Sequence, residues 1–432
     1  MAKLALFGGK PQVSSPPQLA GMYREEPFAE RFAAYIGSRH ALPAASGTGA
    51  LCAALIGAGV RPGDEVITVA HTWFCTATSI LAVGAVPVFA DVDPVTFTLD
   101  PAEIEKRVTP RTRAVLGVSL YGHPARYDLI NPIAKRLGLV VIDDACQATG
   151  AALEGRKLGL WADVTAFSFS GKPLVSTGGG AITTDDRMIY ERAMLAGQHP
   201  SFISTHAKNP AIHAFAATGG YGMNNRIDGG CAQRAFAELE KLDAINEWRR
   251  ANAHHLASRL RGLPGLTPPT AAPGAFHVYH MFTFLFDGSA HGLTRDEVLA
   301  ALLAEGLPAI AYIGGGNFLK DLEGKVWAPG PLHRRPLFQM LAREGRCGPY
   351  ILPDGPRPSL EAPLPVTERL TATEINLPQK WINPPFGRAR MDEYADAIEK
   401  VMTNLDELRD AKARGALPTG KHNFLTSCES DG

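Results

Sequence analysis

One lysine stands between two clusters of small residues in the segment SFSGKPLVSTGGG (168–180). A lysine beside glycine and serine can bind a phosphate, or it can act as a nucleophilic amine. A nucleotide-binding loop needs GxxxxGK followed by serine or threonine, but Ala166 occupies the first glycine position and Pro173 follows Lys172. Proline has no N–H for a phosphate and no hydroxyl for magnesium. The segment favours a reactive lysine that forms a Schiff base, with a solvated surface lysine as the alternative.

Two further segments offer groups that a cofactor could use. AASGTGALCAAL (44–55) is a small-residue turn that opens a helix, whose free N–H groups and Thr48 hydroxyl can hold a phosphate. Turns of this composition also occur as plain helix caps. Trp73, in HTWFCTAT (71–78), follows a strand and can stack on an aromatic ligand or pack in the core.

Two adjacent aspartates end the apolar run in VVIDDACQATGA (140–151). Their side chains point to opposite faces of a strand, so only one of them can face a given ligand. A helix cap is the alternative role, more plausible for Asp143 than for both. A phosphate site, an aromatic ring, an aspartate and a lysine, in this order at strand ends, together match the needs of pyridoxal 5′-phosphate (PLP).

The elements that must position these groups are short apolar strands alternating with helices between about residues 45 and 200. The predicted strands are 64–70, 86–92, 113–120, 139–145 and 164–169. Continuous apolar runs of this kind are typical of a sheet buried on both faces, and the helices between them indicate a mostly parallel α/β sheet. Ligands of such sheets bind at the carboxyl ends of the strands.

Composition divides the chain at a stretch with four prolines and two glycines, residues 263–274. We predict a large domain over 1–262 with an N-terminal arm at 1–20, then this linker, and a smaller α+β domain over 275–414. One long amphipathic helix is predicted at 231–262, a strand at 277–286 and a helix at 295–306. The tail 415–432 is predicted to be loose.

Bulk properties indicate a protein that acts on small molecules. The 432 residues are 45% hydrophobic, and 43 basic residues balance 43 acidic ones, which argues against nucleic acid or a membrane as partner. Six scattered cysteines form no CxxC pair and no cluster with histidine, so neither a disulfide scaffold nor a metal site is predicted. No membrane-spanning or secretion segment is evident, and we expect a cytoplasmic protein.

The chain resembles the DegT/StrS group of sugar aminotransferases, which are fold-type-I PLP enzymes related to aspartate aminotransferase. The resemblance runs from about residue 20 to 262 and continues more loosely into the smaller domain. It is carried by ordered motifs: SGTGAL, HTWFCTA, FADVDPVTFTLD, LYGHPARYDLI, VIDDACQATGA, FSFSGKPLVSTGGGAITTDD and GYGMNNRI.

Site roles follow from this resemblance. Lys172 binds the cofactor as a Schiff base and moves protons, and Asp144 pairs with the pyridine nitrogen. Trp73 stacks on the ring, and Gln147 lies near the phenolic oxygen. The implied phosphate ligands are Gly47, Thr48, Ser168 and, from the partner subunit of a homodimer that shares its active sites, Asn224. Residues that could contact substrate are Tyr312, His333, Arg334 and Lys380.

The resemblance implies transfer of an amino group from glutamate or glutamine to a ketone of a sugar, a cyclitol or a related ring, in antibiotic or surface-glycan biosynthesis. An aromatising, dehydrating or cyclising PLP enzyme of the same family is the alternative, with its pocket lined by residues 310–385. The turn before Lys172 is one residue shorter than usual in the family. Glycines 178–180 also replace the usual GEGG, so the customary glutamate is missing.

Overall fold

The computed structural model describes residues 26–218, 224–313, 330–347, 349–352, 357–358, 360 and 362–417. The predicted arm at 1–20 and nearly all of the predicted tail lie outside these ranges. The described strands are β1 (His40–Ala44), β2 (Glu65–Val69), β3 (Val86–Ala90), β4 (Thr112–Val118), β5 (Val140–Asp144), β6 (Ala152–Leu153), β7 (Arg156–Lys157), β8 (Val164–Ser168), β9 (Gly180–Thr184), β10 (Leu266–Thr267), β11 (Ala275–Phe276), β12 (Met281–Phe286), β13 (Arg346–Cys347), β14 (Tyr350–Ile351) and β15 (Glu374–Pro378).

A seven-stranded sheet with the order β1-β9-β8-β5-β4-β2-β3 forms the centre of the larger part. The five strands from β8 to β3 run parallel, whereas β9 is antiparallel to both β8 and β1. All five strands predicted from the apolar runs are present, and the mostly parallel sheet is confirmed. Because β5 and β8 are parallel neighbours, their last residues, Asp144 and Ser168, lie at the same edge of the sheet.

Helices cover the faces of this sheet and of a smaller one. Their bounds are α1 (Glu26–Ile36), α2 (Gly47–Gly57), α3 (Cys75–Ala82), α4 (Ile104–Arg107), α5 (Tyr127–Leu137), α6 (Arg187–Met194), α7 (Pro200–His206), α8 (Pro210–Ala217), α9 (Gly229–Leu239), α10 (Leu242–Arg259), α11 (Arg295–Ala304), α12 (Pro336–Glu344), α13 (Pro365–Thr373), α14 (Arg388–Thr403) and α15 (Leu405–Ala413). No helix in the described ranges is both long and apolar enough to cross a membrane.

The prediction of one long helix over 231–262 is wrong, because the chain forms α9 and α10 with a break at residues 240–241. At the break, Lys241 N–H bonds Glu238 O in a tight turn. Leu239 and Leu242, on either side of it, are both buried. The two helices have different packing partners, α1 for α9 and α14 for α10, and a straight helix could not reach both. Apolar periodicity does not reveal such a change of direction.

The smaller part is built on the antiparallel sheet β10-β12-β15, packed against α11, α14 and the second half of α10. The predicted strand at 277–286 and helix at 295–306 are present as β12 and α11. The stretch predicted as a linker, 263–274, contributes strand β10 to this sheet. Part of this stretch is therefore regular structure, which its proline and glycine content does not predict. The division into domains stays a prediction.

Four phenylalanines pack beneath the strand that leads to Lys172. Phe28 and Phe32 of α1 contact Phe169, and Phe32 also contacts Phe167, with ring centroids 5.2 to 5.5 Å apart and the rings near perpendicular. All four side chains are buried. Edge-to-face rings of this kind contribute beyond their buried area. The cluster therefore anchors α1 to the end of β8, three residues before the lysine.

Replacing Phe32 with alanine should lower the free energy of unfolding by about 3–5 kcal/mol, because it leaves a cavity among the three other rings. Urea-induced unfolding followed by circular dichroism measures the loss. Phe236→Ala is the control, since this ring on α9 is 36% exposed and its removal should cost much less. Equal losses in the two variants would contradict the role given to the cluster.

Candidate active site

A cavity of about 670 Å³ opens at the carboxyl ends of the parallel strands, between the seven-stranded sheet and the sheet β10-β12-β15. This volume is within the range of small-molecule sites, about 300–1,000 Å³. The cavity brings together most of the residues that the sequence predicted for the site. They are Gly47, Thr48, Trp73, Asp144, Gln147, Ser168, Lys172, Tyr312 and Lys380.

Lys172 lies on a turn that leaves β8 and returns as β9. The base of the turn is closed by backbone hydrogen bonds from Ser176 N to Phe169 O (2.6 Å) and from Phe169 N to Gly179 O (3.0 Å). Desolvation lowers the pKa of the Lys172 amine, while the nearby Cys146, Asp144 and Cys75 act in the opposite direction. A lysine with a lowered pKa is a nucleophilic amine, which agrees with the Schiff-base prediction.

The two adjacent aspartates have different surroundings, as strand geometry requires. Asp144 lines the cavity and accepts hydrogen bonds from the Thr76 hydroxyl (2.7 Å) and from Cys146 N (3.2 Å). Asp143 points to the other face, where it is fully buried and accepts from the Ser119 hydroxyl (2.9 Å). Asp143 is not a helix cap, so the alternative considered for it does not apply. Only Asp144 can meet a ligand in the cavity.

The start of α2 forms one wall of the cavity beside Ser168. Ser46 caps this helix, its side chain accepting from Gly49 N at 3.0 Å, so Gly47 and Thr48 are the first helical residues. A Cβ on Gly47 would come within 2.6 Å of the Ser168 Cβ and 2.9 Å of the Ser168 Oγ. Only glycine permits this close approach, which gathers backbone N–H groups and hydroxyls at the positive end of the helix dipole. Such a cradle suits a phosphate.

Aromatic and amide groups form the opposite wall. The rings of Trp73 and Tyr312 are 5.5 Å apart, and the Gln147 amide donates to the Tyr312 hydroxyl at 3.0 Å. Gln147 also accepts from Tyr121 N at 2.9 Å. Tyr121 has a φ of 58°, an uncommon conformation for a residue with a large side chain. Its hydroxyl is held by the buried Glu374 (2.7 Å).

Three predicted residues do not line this cavity. Asn224 is exposed and accepts from Arg226 Nε (2.8 Å), so its predicted role in a partner's site stays a prediction. His333 and Arg334 both bind the carboxylate of Glu368. Lys380 lines the cavity at an exposed position, with its Nζ 4.9 Å from the centre of the Trp381 ring. Residues 314–329, part of the predicted acceptor pocket, lie outside the described residues.

Sequence reasoning missed several residues that shape the site. Asn225, next to the predicted Asn224, accepts from Ala45 N (3.1 Å) and donates to Gly49 O (2.8 Å), and so braces the start of α2 within its own chain. His280, Gln379 and Asn383 line the cavity from the smaller part. Thr76 lies in the same segment as Trp73, HTWFCTAT (71–78). The only sequence signal for its role is its position four residues after Thr72, with which it shares a hydrogen bond of 3.0 Å.

The residues present fit PLP. The cavity offers an amine at Lys172, a carboxylate at Asp144 and a phosphate cradle that a Cβ on Gly47 would fill. It also offers aromatic rings that can flank a flat heterocycle. Among the described residues, no group of three or more histidine, cysteine, aspartate or glutamate side chains could hold a metal ion.

The chain belongs to the DegT/DnrJ/EryC1/StrS aminotransferase family, whose sequence model matches residues 18–315. It is 32% identical to a putative L-glutamine:3-amino-2,3-dideoxy-scyllo-inosose aminotransferase of Streptoalloteichus tenebrarius, over 94% of this chain and 100% of that protein. It is 34% identical to the dTDP-3-amino-3,4,6-trideoxy-alpha-D-glucose transaminase of Streptomyces venezuelae, over 88% of each chain. The crystal structure of S. venezuelae DesV in complex with a ketimine intermediate superposes with a TM-score of 0.70, at 34% identity, over 87% of this chain and 89% of that one.

These findings confirm the predicted family and the fold-type-I architecture. The protein is a PLP-dependent aminotransferase. The roles of individual residues stay predictions that rest on the geometry above.

Asp143→Asn should remove a pH dependence of stability that Asp143 confers. Burial raises the pKa of Asp143 from 3.8 to about 7, partly opposed by the nearby Tyr127 hydroxyl and by the hydrogen bond from Ser119. The folded state therefore binds the proton more tightly than the unfolded state, and stability falls as the pH rises from about 4 to about 7. Relative to the wild type, the variant should gain stability across this window, by up to about 4 kcal/mol.

Urea-induced unfolding at pH 5 and pH 8 measures this difference. The exposed Asp410 on α15 provides the control, because Asp410→Asn should change stability little at either pH. A gain that is the same at both pH values would contradict the assignment.

Proposed function

We propose that the protein transfers an amino group from glutamine or glutamate to a ketone of a polyhydroxylated ring, either a cyclitol or a nucleotide-linked sugar. The observation that carries the proposal is that Lys172, Asp144 and the start of α2 share one cavity. The names of the two relatives, a glutamine-dependent inosose aminotransferase and a dTDP-sugar transaminase, support the donor and the class of acceptor. Antibiotic or surface-glycan biosynthesis is the setting that this chemistry suggests.

Asp144 holds the pyridine nitrogen of PLP in its protonated form. The hydrogen bond from Thr76 and the one from Cys146 N orient the carboxylate. When bound, PLP would supply an electron-accepting ring, and the Asp144 carboxylate would stabilise its protonated nitrogen. Asp144 therefore acts through charge, and its geometry is set before any ligand arrives.

Lys172 carries the cofactor and then moves the proton. Its amine is partly buried, and desolvation favours the neutral form that attacks an aldehyde or accepts a proton. With the cofactor bound, the Lys172 amine would be the group that accepts the proton from the substrate carbon and gives it back, in both directions of the amino transfer.

The phosphate of PLP binds to Gly47, Thr48 and Ser168 in this proposal. Asn224 joins them from the other subunit of a homodimer, which its exposed position in its own chain allows. Trp73 flanks the cofactor ring, and Gln147 approaches its phenolic oxygen. Tyr312 and Lys380, which also line the cavity, are the candidates for substrate contact. A cytoplasmic location agrees with the free cysteines 52, 75, 146 and 231.

An aromatising or dehydrating reaction is the second candidate of the same family. Amino transfer is favoured because the relatives named above are aminotransferases and because the site retains a lysine that can move a proton.

Lys172→Ala should abolish covalent attachment of PLP and amino transfer, since Lys380, the other lysine among the described residues that line the cavity, is exposed. Borohydride reduction of the wild-type protein with PLP, followed by peptide mass spectrometry, should find the cofactor on Lys172. Lys400→Ala, which removes an exposed lysine paired with Glu305, should retain attachment at Lys172. A wild-type protein that takes up no PLP would refute the proposal.

Asp144→Asn should lower kcat by about 10- to 100-fold, the effect of losing one charge-assisted hydrogen bond. The assay measures amino transfer from glutamine to a keto-cyclitol or keto-sugar. Asp163→Asn is a matched control, because Asp163 accepts from Val141 N at the opposite end of the same strand and should leave kcat unchanged. A similar loss in both variants would point to a general structural effect.

A further inference from the structure

The peptide immediately before Lys172 is held by a side chain from the smaller part of the molecule. Gln379 Nε2 donates a hydrogen bond of 3.1 Å to Gly171 O, across 208 residues of sequence. Gln379 begins the short 3₁₀ turn Gln379–Trp381 that follows β15, and it lines the same cavity as Lys172. The bond therefore joins the lysine turn on the large sheet to the last strand of the small sheet.

Packing holds one side of the lysine turn, where Pro173 and Leu174 are buried, whereas Gly171 on the other side is exposed. The backbone hydrogen bonds of the turn lie at its base, at Phe169, Ser176 and Gly179, and Pro173 has no N–H to contribute. Gly171 adopts a left-handed conformation with a φ of 60°, and a Cβ added there would meet nothing within 4 Å. The Gly171 side of the turn is therefore open, and a bridge between Ser170 and Ser176 is its contact within the turn. Gln379 adds a hydrogen bond to Gly171 O from outside the turn.

Gln379 is buried and firmly placed. Its backbone N–H donates to His280 O at 2.9 Å, and its side chain interacts with the His280 ring beside it. However, Gln379 Oε1 and His280 Nδ1 are buried without a hydrogen-bond partner. An unpaired buried acceptor is costly, so an apolar side chain of the same length would suit this position at least as well for stability. What such a side chain would lack is the Nε2 donor.

We propose that Gln379 is a positioning residue that holds the Lys172 turn from the opposite wall of the cavity, at some cost in stability. The inference deepens the proposed function and rests on the role given there to Lys172. It also explains how a turn that is one residue shorter than usual can present a lysine in a defined place. This restraint comes from the smaller part of the molecule and adds to the hydrogen bonds at the base of the turn.

The pKa of Lys172 depends on whether its amine stays buried, so it can be used to measure the position of the turn. The groups that face it are Asp144 and Cys146 at the end of β5, Cys75 at the start of α3, and the neutral His280 on the small-sheet side. Desolvation is the largest of the influences and lowers the pKa. If the turn loosens, the amine becomes more hydrated and its pKa should rise towards the ordinary value for lysine.

The test compares Gln379→Met, which keeps the length but not the donor, and Gln379→Asn, which is too short to reach Gly171. Gln339→Met is the matched control, because Gln339 Nε2 donates to His333 O (2.7 Å), outside the cavity. In the full-length protein without added PLP, the rate of acetylation of Lys172 is measured against pH by peptide mass spectrometry. Thermal unfolding is measured on the same samples, and kcat after PLP is added.

We expect both Gln379 variants to shift the acetylation midpoint of Lys172 to higher pH and to lower kcat by about 3- to 10-fold, the effect of one neutral hydrogen bond. The melting temperature of Gln379→Met should be unchanged or higher, and Gln339→Met should leave the acetylation midpoint unchanged. Midpoints in both Gln379 variants that equal the wild type would overturn the inference, whether or not the melting temperature falls. Failure of the wild type to bind PLP would refute the proposed function, yet the acetylation data would still decide this inference.

Discussion

A buried carboxylate, Glu374, joins the two halves of the site. It binds His71 Nε2 (3.1 Å), which follows β2, and the Tyr121 hydroxyl, which follows β4, and it also accepts from Ile313 N (2.9 Å). Burial alone would raise the pKa of Glu374, but His71 and these hydrogen bonds hold it below the ordinary value. Since Glu374 is the first residue of β15, one carboxylate sets the position of the small sheet relative to the cavity.

The consequences of this contact extend to the residues that meet the ligand. Tyr121 N donates a hydrogen bond of 2.9 Å to Gln147, and Gln147 donates one of 3.0 Å to the Tyr312 hydroxyl. The position of Tyr121 therefore helps to fix the positions of Gln147 and Tyr312. Tyr312 N also binds Asn376 Oδ1 on β15. A network in which every link is satisfied is rigid, whereas one missing partner leaves a costly buried group. The cavity walls are therefore arranged before ligands bind, as catalysis by electrostatic complementarity requires.

The central sheet could be predicted from the sequence because strands buried on both faces must be apolar throughout. Asp144 could be recognised because it ends an apolar run, Lys172 because it follows one in a turn, and Gly47 because it lies in a small-residue turn that opens a helix. Asn225, His280 and Gln379 could not, because their contacts lie 180, 108 and 208 positions away along the chain, at Ala45, Lys172 and Gly171. The break between α9 and α10 was hidden similarly, since only tertiary packing requires it.

The glycines that replace GEGG after Lys172 have a steric reason in this chain. A Cβ on Gly179, where φ is 91°, would come within 2.6 Å of the Ile227 side chain. On Gly180, a Cβ would come within 2.6 Å of both Phe167 O and Ser46 O. The returning strand therefore passes so close to β8 and to the cap of α2 that no side chain fits. Close contacts at the base of the turn and the hydrogen bond from Gln379 to Gly171 O together help to fix the position of Lys172.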